Sequence, residues 1–254
     1  MKTILIIAVN TFMETIRNKV LYNVLLVAGV VLVLSISFGD LSVFSRVQVM
    51  TDFGLATLSI TGLLLSIFIG IGMLGMEITN KTVYGILTKP VTRSSFIIGK
   101  FSGLLAVLLL NFALITLFFL AVIHFMGGAV HFRLLSAVLL IAVEMAVIIS
   151  ASIFFSSFTT PTLAAIFTAG FYIAGHLNDL MSIGADQQNN PVWKFFLNTF
   201  YYVIPNLEHF NIRTRIVYDL HVSSGYIAWA AVYGVLFTVL FLLLSTALFS
   251  RKDL

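Results

Sequence analysis

The stretch FSGLLAVLLLNFALITLFFLAVIHF, residues 101–125, decides the fold class of this chain. It runs from Phe101 to Phe125 without an Asp, Glu, Lys or Arg. A helix needs about 20 apolar residues to cross the hydrocarbon core of a bilayer, because no water is present there to satisfy exposed backbone groups. The stretch is therefore predicted to be a transmembrane helix.

The composition of the whole chain supports a membrane location. Of the 254 residues 60% are hydrophobic and 9% charged, whereas a soluble domain carries roughly 25% charged residues. This excludes a soluble enzyme, a nucleic-acid-binding module and a disulfide-stapled secreted domain, so no nucleic-acid partner is expected. The net charge of +4 then mainly reflects topology, and the absence of cysteine removes thiol catalysis and thiolate metal sites.

Five further apolar stretches resemble residues 101–125 in composition. Together they predict an all-α integral membrane protein with six transmembrane helices, at residues 21–38, 53–76, 101–125, 134–155, 162–177 and 226–249. The fifth is the shortest; Thr160 is its predicted N-cap, Pro161 its first residue, and Leu180 could extend its end.

The distribution of basic residues predicts a cytoplasmic N-terminus. With six spans, nine of the 14 Lys and Arg face the cytoplasm and five face outside, as the positive-inside rule requires. If the fifth stretch did not cross, the count would be ten against four, so charge leaves both topologies open. Residues 178–225 form the predicted outer loop, where a short aromatic helix starts at Asn190-Pro191, ends at Pro205 and lies at headgroup level.

Residues 1–20 are predicted to form an amphipathic helix lying on the membrane. Apolar side chains recur at spacings of three and four, at Leu5, Val9, Phe12, Ile16 and Val20. The alternative is a simple N-terminal extension of the first span.

The sequence offers no nucleotide-binding loop. Such a loop ends in Gly-Lys-Ser/Thr, but the only Gly-Lys pair, Gly99-Lys100, is followed by Phe101. The chain is therefore not expected to bind ATP by this motif, nor any other cofactor. Two histidines that bind a metal from one helix lie three or four residues apart, whereas His124, His131, His209 and His221 are farther apart. No metal site is therefore predicted.

One acidic residue, Glu144, falls in the middle of a predicted span. Insertion of such a residue costs on the order of 3 kcal/mol, so it should face other helices or a watery cavity. Asn111 and His176 are its expected polar neighbours, and the three are predicted to line a translocation path. A structural interhelical hydrogen bond from a protonated Glu144 is the alternative.

The predicted cytoplasmic loop, residues 77–100, has the composition of a docking segment. A short amphipathic helix precedes the Lys89-Pro90 break, and Ser94 or Ser95 could cap a further helix running into the third span. The alternative is a basic loop that only anchors the topology.

Three runs of sequence resemble permease subunits of type-2 ATP-binding-cassette exporters. In the loop after the second span the matching residues are Glu77, Leu87, Lys89, Pro90, Arg93, Gly99, Lys100 and Gly103, whereas Asn80-Lys81-Thr82 departs from the usual Gly-Thr. Residues 10–19 resemble the N-terminal elbow helix of that family. Residues 205–211 resemble an outer run in the branch that includes the nitrous-oxide-reductase maturation permease.

The resemblance implies one permease domain over residues 1–254, in the cell (inner) membrane, with both termini cytoplasmic. It implies a dimer with a second, identical or different permease subunit, and a separate ATPase subunit that binds ATP and magnesium, so that the chain is not itself an enzyme. The residues expected to couple to the ATPase are Glu14, Arg17, Glu77, Lys81, Thr82, Tyr84, Leu87, Lys89, Pro90, Arg93 and Lys100. Those expected at close dimer packing are Gly70, Gly72, Gly75 and Gly170.

Two other classes of function compete with an exporter subunit. A proton- or ion-coupled carrier could use Glu144, although carriers usually contain internal repeats and this chain has none. A membrane-embedded enzyme would need a paired catalytic cluster. The cargo is left open, because an apolar lining fits lipids, drugs or peptides.

Overall fold

The computed structural model of the protein describes residues 2–41, 46–79, 92–126, 132–187 and 190–250. Within these ranges every regular element is a helix, which confirms the predicted all-α class. The helices in chain order are α1 (Lys2–Ile16), α2 (Lys19–Leu41), α3 (Arg46–Thr79), α4 (Arg93–Phe125), α5 (Phe132–Ser156), α6 (Pro161–His176), α7 (Asn178–Gln187), α8 (Pro191–Val203), a 3-10 helix (Leu207–Phe210), α9 (Arg213–Val217) and α10 (Ser224–Ser250).

Five of the described helices are long and apolar enough to cross a membrane, namely α2, α3, α4, α5 and α10. The predicted fifth span corresponds to α6, which has only 16 residues. It begins as predicted, with Thr160 at the N-cap and Pro161 in the first turn. The six predicted spans therefore correspond to five candidate membrane spans and one shorter helix, α6.

The helix ends follow local capping chemistry. The Asn190 side chain accepts a hydrogen bond from Val192 N, and α8 starts at Pro191 as predicted. The predicted cap of α4 was wrong, because Thr92 rather than Ser94 or Ser95 accepts from the backbone, at 3.3 Å from Ser95 N. The helix therefore starts at Arg93, eight residues before the apolar run.

Helix α5 lies at the centre of the bundle, where it contacts α3, α4, α6 and α10. Its core side chains include Leu140, Met145 and Ile148, each fully buried. By contrast α10 exposes much of its apolar surface, including Leu236 and Leu243. The most protected position for a polar group is therefore along α5.

Helix α6 ends beside the middle of α5. Glu144 lies midway between Phe132 and Ser156, about 18 Å from either end at 1.5 Å per residue. Helix α6 starts at the same end of the bundle as Ser156. Its last residue, His176, contacts Glu144, so α6 ends halfway along α5. We call the end that carries Ser156 and Ser250 the inner end, and the end that carries Arg133 the outer end, following the predicted topology.

The outer half of α5 packs against a returning segment instead of a long helix. Glu208 lies near Glu144 through His176, and Asp219 pairs with Arg133 at 2.7 Å. Residues 208–219 therefore follow α5 from its middle to its outer end. Before them, α7 and α8 form a hairpin whose base is closed by Asn178, which donates to the carbonyl oxygens of Tyr201 and Ile204.

Helix α1 is a separate element that packs on the inner end of α4. The helical path breaks at Arg17 and Asn18, and the Asn18 side chain accepts from Val20 N at the start of α2. Of the predicted apolar stripe, Leu5 and Val9 are exposed, whereas Phe12 and Ile16 pack against the core. The buried face of α1 is instead centred on Thr11 and Thr15.

Candidate functional site

Three titratable side chains meet at the middle of the bundle. The His176 imidazole bridges two carboxyl groups, with Nε2 at 2.9 Å from Glu144 Oε1 and Nδ1 at 3.0 Å from Glu208 Oε2. Glu144 is only 3% exposed, whereas the side chains of His176 and Glu208 are 23% and 41% exposed. We call Glu144, His176 and Glu208 the triad.

The two hydrogen bonds fix the charge of the triad. A carboxylate can only accept, so each bond needs one hydrogen, supplied by a ring N–H or by a protonated carboxyl group. An imidazolium between two carboxylates has a net charge of −1, as does a neutral imidazole between one carboxylate and one carboxylic acid. With the two hydrogens that these bonds require and no others, the triad therefore carries one negative charge.

A cavity of about 350 Å³ reaches from the surface to Glu144. Exposed Asn211 and buried Glu144 both line it, so it passes along the outer half of α5. The Tyr172 ring lies 4.5 Å from the His176 ring and forms part of the wall. The other lining residues are Ser59, Ala137, Ile141, Ile173, His176, Leu177, Phe210, Ile212 and Arg213.

The turn before Glu208 is held in place by polar contacts from three directions. Asn206 Oδ1 accepts from Glu208 N at 3.0 Å, and Asn206 Nδ2 donates to Asp179 at 2.6 Å. Asn206 N donates to the Tyr233 hydroxyl at 2.9 Å. Glu208 itself accepts from Asn211 Nδ2 at 2.8 Å. Because these contacts fix the backbone, the Glu208 carboxyl group is positioned for His176.

An ion pair neutralises the one arginine in the cavity wall. Arg213 donates from Nε and Nη2 to the two carboxylate oxygens of Asp52 on α3, at 2.5 and 2.6 Å. Such a paired geometry ties α9 to α3 and leaves no net charge at this edge. The charge of the cavity is therefore that of the triad.

The predicted path residues are only partly brought together. Glu144 and His176 are in direct contact, but Asn111 lies elsewhere in the core, where its Nδ2 donates to Val107 O of its own helix at 2.9 Å. Asn111 is fully buried, and its Oδ1 has no hydrogen-bond partner among the described residues.

The predicted dimer glycines have different surroundings. Gly70 faces α5 of the same chain, where an added Cβ would overlap the Ser152 hydroxyl. Its small size therefore already has a reason within one protomer. Gly170 has no neighbour within 4 Å on an exposed part of α6, so it stays a prediction for close packing with a partner. Gly72 and Gly75 lie on α3, with side-chain surroundings outside the described part of the chain.

Most predicted coupling residues fall outside the described ranges. They are Lys81, Thr82, Tyr84, Leu87, Lys89 and Pro90, while Glu77 is placed on α3 by its backbone alone. Arg93 is described: its Nη1 donates to the carbonyl oxygens of Phe249 and Ser250 at 2.6 and 2.8 Å, where α10 ends. Glu14 and Arg17 lie at the exposed end of α1.

The inner end of α4 is built for close contact with α1. A Cβ at Gly103 would lie 2.6 Å from the Ala8 carbonyl oxygen, and one at Gly99 would lie 2.8 Å from the Ile7 side chain. Between them, Lys100 is 4% exposed and its Nζ is 4.0 Å from Glu14 Oε2. Lys100 is therefore buried beside α1.

Sequence reasoning missed Glu208 and Tyr172 as part of the site. Glu208 was noted only within the run at residues 205–211, and Tyr172 was not singled out. The usable signal was the Pro205-Asn206 turn two residues before an acidic side chain, inside a segment of low charge. Among the described residues, no three His, Asp or Glu side chains are placed to hold a metal ion. The two nitrogens of His176 point to opposite sides, which separates the carboxyl groups.

The chain matches a known protein family. A family model described as an ABC-2 family transporter protein matches residues 4–254, nearly the entire chain. A search of curated proteins returns no match.

Proposed function

Because the chain belongs to the ABC-2 transporter family, we propose that it is the membrane subunit of an ATP-driven exporter. The family is one of multi-pass membrane transport subunits that work with an ATP-binding subunit. The direction of transport, the separate ATPase partner with its ATP and magnesium, and a second permease subunit are parts of this proposal. The observation that carries it is the family match over residues 4–254 in a chain that has no nucleotide-binding loop of its own.

In this proposal α1 is the elbow helix at the cytoplasmic surface. Its support is the tight fit of Thr11 and Ala8 against Gly103 of α4, together with exposed Glu14 and Arg17 at its end. A push on α1 from a soluble subunit would pass directly to α4, because no side chain separates the two backbones at Gly103.

The coupling helix is proposed within residues 77–93, between α3 and α4. Arg93 supports a mechanical role for the end of this loop, because it links the start of α4 to the carbonyl oxygens at the end of α10. A displacement of the loop would therefore reach α3, α4 and α10 together.

The proposed topology keeps six crossings, with α6 and α7 sharing the fifth. Together they run from Pro161 to Gln187, which exceeds the roughly 20 residues needed to cross. Both termini then lie in the cytoplasm. The exposed aromatic side chains of α8, Trp193, Phe195 and Phe196 among them, fit a position at the outer membrane interface.

The second permease subunit is proposed to pack on the open face of α6 around Gly170. This face exposes Leu163, Ile166, Phe167 and Ile173. Placement in the branch of the nitrous-oxide-reductase maturation permease stays part of the proposal, supported only by the resemblance of residues 205–211.

The proposal is tested by affinity purification of the tagged chain in mild detergent, with mass spectrometry and an ATPase assay on the eluate. We expect a stoichiometric partner with a nucleotide-binding loop and vanadate-sensitive ATP hydrolysis. A chain that purifies alone, without ATPase activity, would contradict the proposal.

Replacing Arg93 or Glu77 with alanine is expected to lower transport-coupled ATP hydrolysis severalfold while insertion and dimerisation persist. Loss of Arg93 removes two hydrogen bonds to the end of α10, so a displacement of the loop no longer passes from α4 to α10. Arg133→Ala is the matched control, because Arg133 pairs with exposed Asp219 at the opposite end. Unchanged coupling in both the Glu77 and the Arg93 variants would remove these residues from the coupling assignment.

A proton- or ion-coupled carrier is the second candidate, and the buried contact between Glu144 and His176 is the observation that favours it. In that case the reconstituted chain alone would transport in response to a proton gradient, and Glu144→Gln would abolish that transport. Transport that needs ATP and the partner subunit would exclude this function.

A further inference from the structure

We propose that the cavity ending at Glu144 binds a small organic monocation, such as a protonated amine or a quaternary ammonium group with an apolar body. The cavity has a volume of about 350 Å³, near the lower end of the range for small-molecule pockets. As a binding site this stands on the geometry alone, whereas the role of the cation as cargo rests on the proposed function.

The first argument is an unused carboxyl oxygen. Glu144 is 3% exposed, and its Oε1 is held by His176, but its Oε2 makes no hydrogen bond to any described residue. Because Glu144 lines the cavity, a ligand there can supply the missing donor or charge.

The second argument is the sign of the charge. The triad holds a net charge of −1 when it carries only the two hydrogens that its hydrogen bonds require, and Arg213 is neutralised by Asp52. The cavity therefore favours a single positive charge and repels an anion.

The third argument is the lining, which favours an organic over an inorganic cation. A hard metal cation requires roughly six oxygen ligands, whereas the wall is mainly aliphatic and aromatic. The Tyr172 and Phe210 rings can contact a cationic head or the body attached to it. The aliphatic part of the wall consists of Ala137, Ile141, Ile173, Leu177 and Ile212.

The test uses three probes that share one ring and differ in charge: benzyltrimethylammonium, benzyl alcohol and benzoate. Binding is measured by isothermal titration calorimetry on the purified full chain in lipid nanodiscs. We expect saturable binding of one benzyltrimethylammonium per chain, and binding of the neutral and anionic probes that is weaker by about tenfold or more. Equal binding of the cation and benzyl alcohol would overturn the proposal.

The variant Glu144→Gln locates the site. The amide keeps the shape of the side chain and a hydrogen bond to His176, but it replaces the carboxyl group at the end of the cavity with a group that cannot ionise, so we expect the preference for the cationic probe to be lost. The matched control is Asp219→Asn, which removes one negative charge from an exposed residue at the outer end of the bundle. Asp219 has φ 52°, a conformation that asparagine accepts, so this variant should fold and keep the preference. A preference for the cationic probe that persists in Glu144→Gln would place the site elsewhere.

The role as cargo has its own readout. In the complex with the ATPase, benzyltrimethylammonium is expected to stimulate ATP hydrolysis, and Glu144→Gln to remove the stimulation. Cation binding by a chain that purifies without an ATPase would contradict only the proposed function. A chain that purifies with its ATPase but shows no preference for the cation would contradict only this inference.

Discussion

Replacing Gly103 with valine will detach α1 from α4. The added side chain would start 2.6 Å from the backbone carbonyl oxygen of Ala8, which cannot move unless the whole of α1 moves. Overpacking of this kind typically costs about 1–3 kcal/mol. We expect the overlap to be relieved by dissociation of α1 from α4, because undocking the terminal helix leaves the rest of the bundle intact.

The expected result is a selective loss of hydrogen-exchange protection at residues 2–16, with little change in α5. In the complex with an ATPase, coupled ATP hydrolysis should fall severalfold, if α1 acts as the elbow helix. Gly29→Val is the matched control, since an added Cβ at Gly29 has no neighbour within 4 Å. Full protection of residues 2–16 in the Gly103 variant would show that the contact can adjust locally.

Replacing His176 with alanine is expected to destabilise the bundle by about 3 kcal/mol, the lower end for loss of one partner in a buried ion pair. The variant leaves Glu144 buried at 3% exposure without its only hydrogen-bond partner among the described residues, and it releases Glu208 from α6. Equilibrium unfolding in detergent measures the effect.

The double variant Glu144→Gln/His176→Ala separates lost charge pairing from lost packing. It should recover part of the stability, because an unpaired amide costs less to bury than an unpaired carboxylate. His124→Ala serves as the control, because His124 is exposed at the end of α4 and should change stability by less than about 0.5 kcal/mol. A double variant as unstable as the single one would show that the imidazole acts mainly by filling space.

The long helices could be predicted because their signal is local. The apolar run at residues 101–125 by itself requires a helix in a membrane, and the start of α6 follows from Thr160-Pro161. The polar ends were less predictable. Hydropathy detects only the apolar part of a helix. The predicted spans therefore omit the first turns of α3 and of α4, which contain Arg46 and Arg93.

The site depended on contacts between distant parts of the chain. The contact of Glu144 with His176 spans 32 residues, and Glu208 lies a further 32 beyond. The cost of burying a charge indicated that Glu144 needs polar neighbours, but Asn111 and His176 met that condition equally well. Only the short length of α6 and the return of residues 208–219 along α5 decide between them, and neither follows from composition.

The early end of α6 also shapes the electric field that a permeating charge experiences. The cavity beside the outer half of α5 admits solvent as far as Glu144, so with the proposed orientation the membrane potential falls mainly across the remaining inner half, about 18 Å thick. A full crossing costs roughly 2.3 kcal/mol per elementary charge for each 100 mV. An exported cation would therefore meet nearly all of this electrical work before it reaches Glu144, in the half of the protein on which an ATPase would act.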